Sequence, residues 1–226
     1  MTIAERILHV IHQIHQAEAE YGRPPGTVAL IAVSKGQSKE AIEQAFAAGV
    51  HQFGENYLQE AEPKINILAK LPITWHFIGP IQSNKCRPIA HYFSWVHSVC
   101  RASIAQRLND ARPQSLPALN VCIQINDDDE KKAGIHPEQA AELASAILLL
   151  PRLHLRGLML IPKQGHDELQ LYLSFQKLTA LLHSLNKQLH IHMDTLSMGM
   201  SGDFQVAIRA GSTMVRIGQT IFGERR

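Results

Sequence analysis

Short apolar runs alternate along this chain with longer stretches in which apolar residues recur every three or four positions. The first run, Thr27-Val28-Ala29-Leu30-Ile31-Ala32-Val33-Ser34-Lys35, follows the breaker Pro24-Pro25-Gly26 and is apolar at every position from Val28 to Val33. Apolarity without alternation marks a strand covered on both faces, as in a parallel sheet lined by helices. Seven further strands are predicted at residues 50–53, 74–78, 95–98, 120–125, 155–160, 191–195 and 213–217. Helical periodicity lies between most of them, notably at 39–48, 138–150, 167–185 and 203–210. Ser38 supplies an N-cap for the first of these helices and Gly49 its stop. Ahead of the first strand, Ile3, Ile7, Val10, Ile11 and Ile14 recur at the spacing of an amphipathic helix that packs on the body.

Strands alternating with helices imply parallel pairing through right-handed crossovers. Eight such units in 226 residues favour closure into a (β/α)8 TIM barrel over an open doubly wound sheet. No linker, repeat or low-complexity tract divides the chain, so a single domain over 1–226 with an extra N-terminal helix is expected. Asp127-Asp128-Asp129-Glu130-Lys131-Lys132 reads as a charged loop.

Composition narrows the function classes. The chain is 45% hydrophobic and 19% charged, and its net charge of +2 comes without a basic block or an aromatic-basic stripe, which argues against a nucleic-acid partner. The start lacks the basic n-region of a signal peptide, and the most apolar later stretch, Ala146 to Pro151, is too short to span a bilayer. No membrane association and a cytoplasmic location are therefore expected. Cys86, Cys100 and Cys122 form no CxxC pair, as suits free thiols in a reducing compartment. His9, His12 and His15 rotate away from a common helical face, and His190 and His192, alternating on the predicted seventh strand, complete no ligand shell. No metal site is expected.

The candidate chemistry begins at Lys35. In parallel sheets the functional residues sit beyond the C-terminal strand ends, where a partly desolvated lysine becomes an amine able to attack an aldehyde. A solvated lysine opening a loop is the alternative reading. Between strand seven and its helix, Asp194-Thr195-Leu196-Ser197-Met198-Gly199-Met200-Ser201-Gly202-Asp203 combines close-approach glycines with the Ser201 hydroxyl, a pattern suited to an anion. Asp203 is read as a structural carboxylate in the helix's first turn. Strand eight ends in Val215-Arg216-Ile217-Gly218-Gln219, where Gly218 permits a close turn and Gln219 offers its backbone amide. Loops after strands seven and eight commonly hold phosphate in barrels, and closure makes strand eight the neighbour of strand one. An aldehyde-reactive lysine facing a phosphate cradle is what pyridoxal 5′-phosphate (PLP) held as a Schiff base requires. Arg216, pointing inward, would donate to the pyridine nitrogen and weaken it as an electron sink.

These segments together resemble the pyridoxal-phosphate homeostasis (YggS/PROSC) family over essentially the whole chain. The resemblance rests on Ala32-Val33-Ser34-Lys35, Phe53-Gly54-Glu55-Asn56-Tyr57, His76-Phe77-Ile78-Gly79-Pro80-Ile81-Gln82-Ser83-Asn84-Lys85, Leu196-Ser197-Met198-Gly199-Met200-Ser201 and Arg216-Ile217-Gly218, in that order. It implies a barrel like the N-terminal domain of alanine racemase, with Lys35 as Schiff-base residue and Arg216 at the pyridine nitrogen. Ser201, Gly218 and Gln219 should then line the phosphate, and Asn56 should approach the lysine or cofactor. His76, Gln82, Ser83, Asn84 and Lys85 are candidates for the rim. The implied role is buffering or delivering PLP, with PLP-dependent apo-enzymes as recipients, no catalytic residue and a monomeric chain. The chain differs from the family pattern in a shorter 126–134 loop without its serine, in Gln219 where a hydroxyl residue is common, and in Gly202 for an acidic residue. Two other classes share the local chemistry, a PLP-dependent racemase, which needs a second proton-transfer group, and a Schiff-base phosphosugar barrel; a noncatalytic interaction module is a further class, for which composition exposes no recognition groove.

Overall fold

Thr2 opens the first helix, α1 (Ile3–Glu20): its hydroxyl accepts from the Glu5 amide while its own amide donates to the Glu5 carboxylate, closing a capping box. The computed structural model describes residues 1–126 and 133–223, and the charged loop read at 127–132 lies outside them. After α1 come β1 (Ala29–Val33), α2 (Lys39–Ala47), β2 (Gln52–Glu55), α3 (Leu58–Ile67), β3 (Thr74–Phe77), α4 (Cys86–Tyr92), β4 (Trp95–Val99) and α5 (Ala102–Ala111). Then follow β5 (Leu119–Ile125), α6 (Ala140–Leu148), β6 (Leu153–Leu160), α7 (Glu168–Leu189), β7 (Thr195–Ser197), α8 (Phe204–Arg209), β8 (Met214–Ile217) and α9 (Gln219–Phe222). Each strand pairs in parallel with the next, and β8 pairs with β1 at Ile31↔Arg216 and Ala32↔Ile217, so the eight strands close the expected (β/α)8 barrel.

Alternation along the strands sorts side chains into two cores. Ala32, Phe53, Val96, Val121 and Leu158 face outward and pack with Ile42, Ile89, Leu108, Ile147 and Phe175 of the helices in one apolar cluster. Burying each large side chain of that layer contributes roughly 2 kcal/mol. The inward-facing residues form a smaller apolar cluster of Trp95, Cys122 and Met159, beside the buried polar groups His76, His97, Ser197 and Arg216. Gln124 of β5, on the same face as Cys122, adds a further buried polar group.

The N-terminal helix packs on α8 and α9, as its apolar face requires. Its fully buried Glu18 carboxylate accepts from the Gly26 amide (3.0 Å), the Thr27 hydroxyl (3.2 Å) and the Val28 amide (2.8 Å). Nearby, the Arg23 guanidinium donates to the carbonyls of Ile208 and Ser212. These two side chains fix the entry to β1 and therefore the position of everything that follows it. No helix of the described residues is long and apolar enough to cross a membrane.

Two sequence expectations need correction. The seventh strand is Thr195–Ser197, not 191–195, because α7 continues to Leu189 and His190 ends it in the left-handed conformation, φ 53°. The Asn186 side chain then brackets Met193, donating to its carbonyl and accepting from its amide at 2.8 Å each, which holds the connection in a turn. His190 and His192 consequently do not alternate along a strand. Ser83 is not a helix cap either: it begins a 3₁₀ turn, Ser83–Lys85, ahead of α4.

Replacing Glu18 with Ala strands the buried Val28 amide and removes the acceptor of the more exposed Gly26 amide and Thr27 hydroxyl, and should lower the unfolding free energy by about 2 kcal/mol, measured by urea titration. A loss under about 1 kcal/mol would contradict the anchoring role assigned to this carboxylate.

Candidate functional site

Lys35 emerges one residue beyond Ser34 at the C-terminal end of β1, and its backbone is tied down on both sides. The Ser34 amide donates to the Gly54 carbonyl (2.9 Å), its hydroxyl donates to Glu55 Oε1 (2.7 Å), and its carbonyl accepts from Lys64 Nζ (2.9 Å). Lys64 also pairs with Glu55 Oε1 at 2.9 Å, and the Gly36 amide donates to Glu60 Oε2 at 2.9 Å. Glu55 is fully buried, and burial pushes its carboxyl pKa up against the opposing pull of Lys64 and the Ser34 hydroxyl. The lysine turn is therefore held by a carboxylate-ammonium pair on β2 and α3, in low-dielectric surroundings where each bond counts for more.

All six residues predicted from the sequence, Lys35, Asn56, Ser201, Arg216, Gly218 and Gln219, line one cavity of about 610 Å³ at the C-terminal mouth of the barrel. The closing seam explains the convergence: β8 lies against β1, so the loop after Ile217 faces the loop after Val33. Gly218 sits so close to β1 that a Cβ there would come within 3.1 Å of the Val33 carbonyl oxygen. A Cβ on Gly79 would fall 2.0 Å from the Asn56 carbonyl oxygen, so the β3 loop can press on Asn56 only through a glycine. The Asn56 Oδ1 is buried without a hydrogen-bond partner among the described residues. Of the rim candidates, His76 lies buried inside the barrel, and Gln82, Ser83, Asn84 and Lys85 do not line the cavity.

Arg216 enters from the barrel interior and is 4% exposed. Its Nη1 donates to the Ser197 carbonyl (2.7 Å) and hydroxyl (2.8 Å), and Nη2 donates to the Leu160 carbonyl (3.0 Å). Three of its five N–H donors are thus committed and two are left at the cavity wall. Burial lowers its pKa to about 10, partly offset by Asp203 and Cys122, so it stays cationic at neutral pH. Asp203 does not cap α8 through its side chain; its carboxylate accepts from the Met200 amide and closes the Ser201 loop. Burial pushes the Asp203 pKa up, opposed by the Met200 amide and Arg216.

Beneath the cavity, Ser197 Oγ meets His97 Nδ1 at 2.8 Å, and His97 Nε2 meets His76 Nδ1 at 2.9 Å. Burial drives the His76 pKa down to about 3 and that of His97 well below the usual histidine range, with His76 and Arg216 adding to the latter. Both rings are neutral at physiological pH. Sequence reasoning did not single out Glu60, Lys64, His97 or Ser197 as site residues. A histidine interrupting the apolar run at 95–98 was the one available signal; the contacts of Lys64 and Glu60 join residues distant in sequence. Among the described residues no group of three His, Cys, Asp or Glu is placed to hold a metal ion.

Comparison with known proteins agrees with this geometry. The family model described as alanine racemase, N-terminal domain, matches residues 8–226. The chain is 52% identical over 225 residues to the pyridoxal phosphate homeostasis protein of Pseudomonas aeruginosa, covering 99% of this chain and 96% of that one. It is 48% identical over 227 residues to the protein of that name from Escherichia coli, covering 99% and 97%. Among solved structures, PipY of Synechococcus elongatus with PLP bound superposes with a TM-score of 0.87 at 34% identity, covering 98% of this chain and all of that one. Alanine racemase of Corynebacterium glutamicum, at 16% identity and a TM-score of 0.70 over 62% of its length, shares the fold.

The buried histidines carry a pH signature. Their folded pKa values are depressed, so the unfolded chain takes up protons first and stability falls as pH drops from about 6.5 toward about 3. The His76 ring contributes a slope of up to about 1.4 kcal/mol per pH unit within that window, and His97 acts in the same direction. Urea midpoints measured between pH 7 and pH 5 should therefore fall more steeply for the wild type than for His76→Asn; equal slopes would contradict burial of a neutral imidazole.

Proposed function

Because the chain belongs to the family of pyridoxal phosphate homeostasis proteins, we propose that it binds PLP in the cavity at the barrel mouth and holds it reversibly as a Schiff base on Lys35. The observation that carries this reading is the convergence of an amine, a buried guanidinium and two glycine-containing loops on one cavity of about 610 Å³. The residues fit the group: Arg216 keeps two N–H donors uncommitted, Asn56 Oδ1 is a buried acceptor without a partner among the described residues, and Gly218 lets the loop after β8 lie close against β1 at the cavity.

When bound, the cofactor supplies an aldehyde that condenses with an amine with loss of water. The chain's own residues do the rest. The Ser34, Glu55 and Lys64 contacts fix the backbone from which Lys35 reaches, and they commit Lys64 as a structural donor so that one lysine remains to line the cavity. Ser201, Gly218 and Gln219 take the phosphate through hydroxyl and backbone N–H groups. Arg216 donates toward the ring nitrogen and, keeping its own proton, leaves that nitrogen unprotonated. Such an arrangement favours holding the cofactor over carbanion chemistry.

Among the described residues lining the cavity, Lys35 and Arg216 are the ionisable groups, whereas racemisation needs proton transfer on both faces of a substrate carbon. Tyr57 is 53% exposed and does not line the cavity. The reading that follows is a single-domain, monomeric PLP carrier of the cytoplasm that buffers the cofactor or delivers it to PLP-dependent apo-enzymes. Hydrolysis or transfer to another amine releases the cofactor and restores the Lys35 amine.

With added PLP, the wild-type protein should develop visible imine absorbance that Lys35→Ala lacks. Ser201→Ala should still develop it but lose the cofactor on dialysis, with affinity lowered roughly tenfold for one hydrogen bond to a charged group. An undiminished band in Lys35→Ala would end the assignment of the lysine.

A further inference from the structure

The buried polar groups of β3, β4, β7 and β8 form one continuous chain that the cavity residues alone do not explain. Arg216 Nη1 stands 2.8 Å from Ser197 Oγ, Ser197 Oγ 2.8 Å from His97 Nδ1, and His97 Nε2 2.9 Å from His76 Nδ1. All four side chains are 4% exposed or less. The guanidinium has no acceptor atom, so at its end of the chain it can only donate. Ser197 Oγ, which accepts from it, has His97 Nδ1 as its other partner, and its hydroxyl proton is satisfied only by donation to that nitrogen. His97 must then carry its proton on Nε2 and donate to His76 Nδ1, which leaves the proton of His76 on Nε2. His76 Nε2 is buried without a partner among the described residues whichever way the chain runs; running it the other way would in addition give Ser197 Oγ two donors and leave its own buried proton unpaired, at a further cost of about 1–3 kcal/mol.

We infer that Ser197, His97 and His76 are positioning residues for Arg216: a one-way hydrogen-bond chain set by the guanidinium threads the barrel interior and fixes where its two uncommitted N–H donors stand at the cavity wall. The His76 ring stacks on Trp95 at 5.6 Å between centroids and 16° between planes, which braces the far end of the chain against rotation. A flexible arginine would hold a ligand ring through transient contacts. One anchored at the Ser197 carbonyl, the Ser197 hydroxyl and the Leu160 carbonyl presents its remaining donors in one geometry, and its binding partner meets no ordering cost there. The role of these donors toward PLP rests on the function proposed above; the direction of the chain does not.

The test combines imidazole nitrogen NMR at pH 7 with cofactor titration, on the wild type and on Ser197→Ala. In cofactor-free wild-type protein, His76 and His97 should both appear as neutral Nε2–H tautomers. Ser197→Ala should shift the His97 nitrogen signals toward mixed tautomers and weaken PLP retention roughly tenfold, while borohydride-trapped adduct still forms on Lys35. A wild-type His97 protonated on Nδ1 would overturn the direction of the chain. Cofactor retention in Ser197→Ala equal to that of the wild type would overturn the positioning role. Wild-type protein with the expected tautomers but no response to PLP would overturn the cofactor reading and leave the direction of the chain standing.

Discussion

The Glu55 carboxylate is the constraint on which the geometry of the mouth depends. It lies fully buried at the end of β2, and its Oε1 receives both the Ser34 hydroxyl and the Lys64 ammonium. A carboxylate taken out of water is costly unless paired, and here the pairing partners also define the turn that carries Lys35. Lys64 bridges the Glu55 carboxylate and the Ser34 carbonyl, so charge compensation and backbone placement are the same interaction. Burial raises the Glu55 pKa, opposed by Lys64 and the Ser34 hydroxyl.

Barrel closure supplies the other half of the site. Pairing of β8 with β1 sets Arg216 level with Ile31 and carries the Gly218 turn to within contact of Val33. Arg216 can sit in the interior because three carbonyl or hydroxyl oxygens of β6 and β7 accept from it. The neutral histidines below add no competing charge, so the guanidinium is the interior's permanent cation. Sheet topology thereby converts residues far apart in sequence into one electrostatic unit, with an amine on one side of the seam and fixed donors on the other.

Much of this was legible in the sequence, for definable reasons. The apolar run at 28–33 announces a parallel strand because both its faces are covered, and the glycines at 199 and 218 announce close approach, which the structure bears out, whereas the space around Gly202 is open. The six predicted site residues converge because strand order dictates which loops meet. The seventh strand was misplaced because Ile191 and Met193 mimic strand alternation, while the deciding contact, Asn186 with the Met193 backbone, involves a helix residue whose reach no local pattern reveals. Lys64 and Glu60 carry no local signal of a role in the sequence; their task appears only when α3 lies beside the β1 turn. His97 and Ser197 are 100 residues apart, a separation across which periodicity carries no information.

The central claim is that Lys35 takes the cofactor while Lys64, equally close to the β1 turn, is reserved for structure. Borohydride reduction of the PLP-loaded wild-type protein, followed by peptide mass mapping, reads this directly. The account predicts a reduced pyridoxyl adduct on the peptide containing Lys35 and none on the peptide containing Lys64. An adduct on Lys64, or no adduct on either lysine, would contradict it.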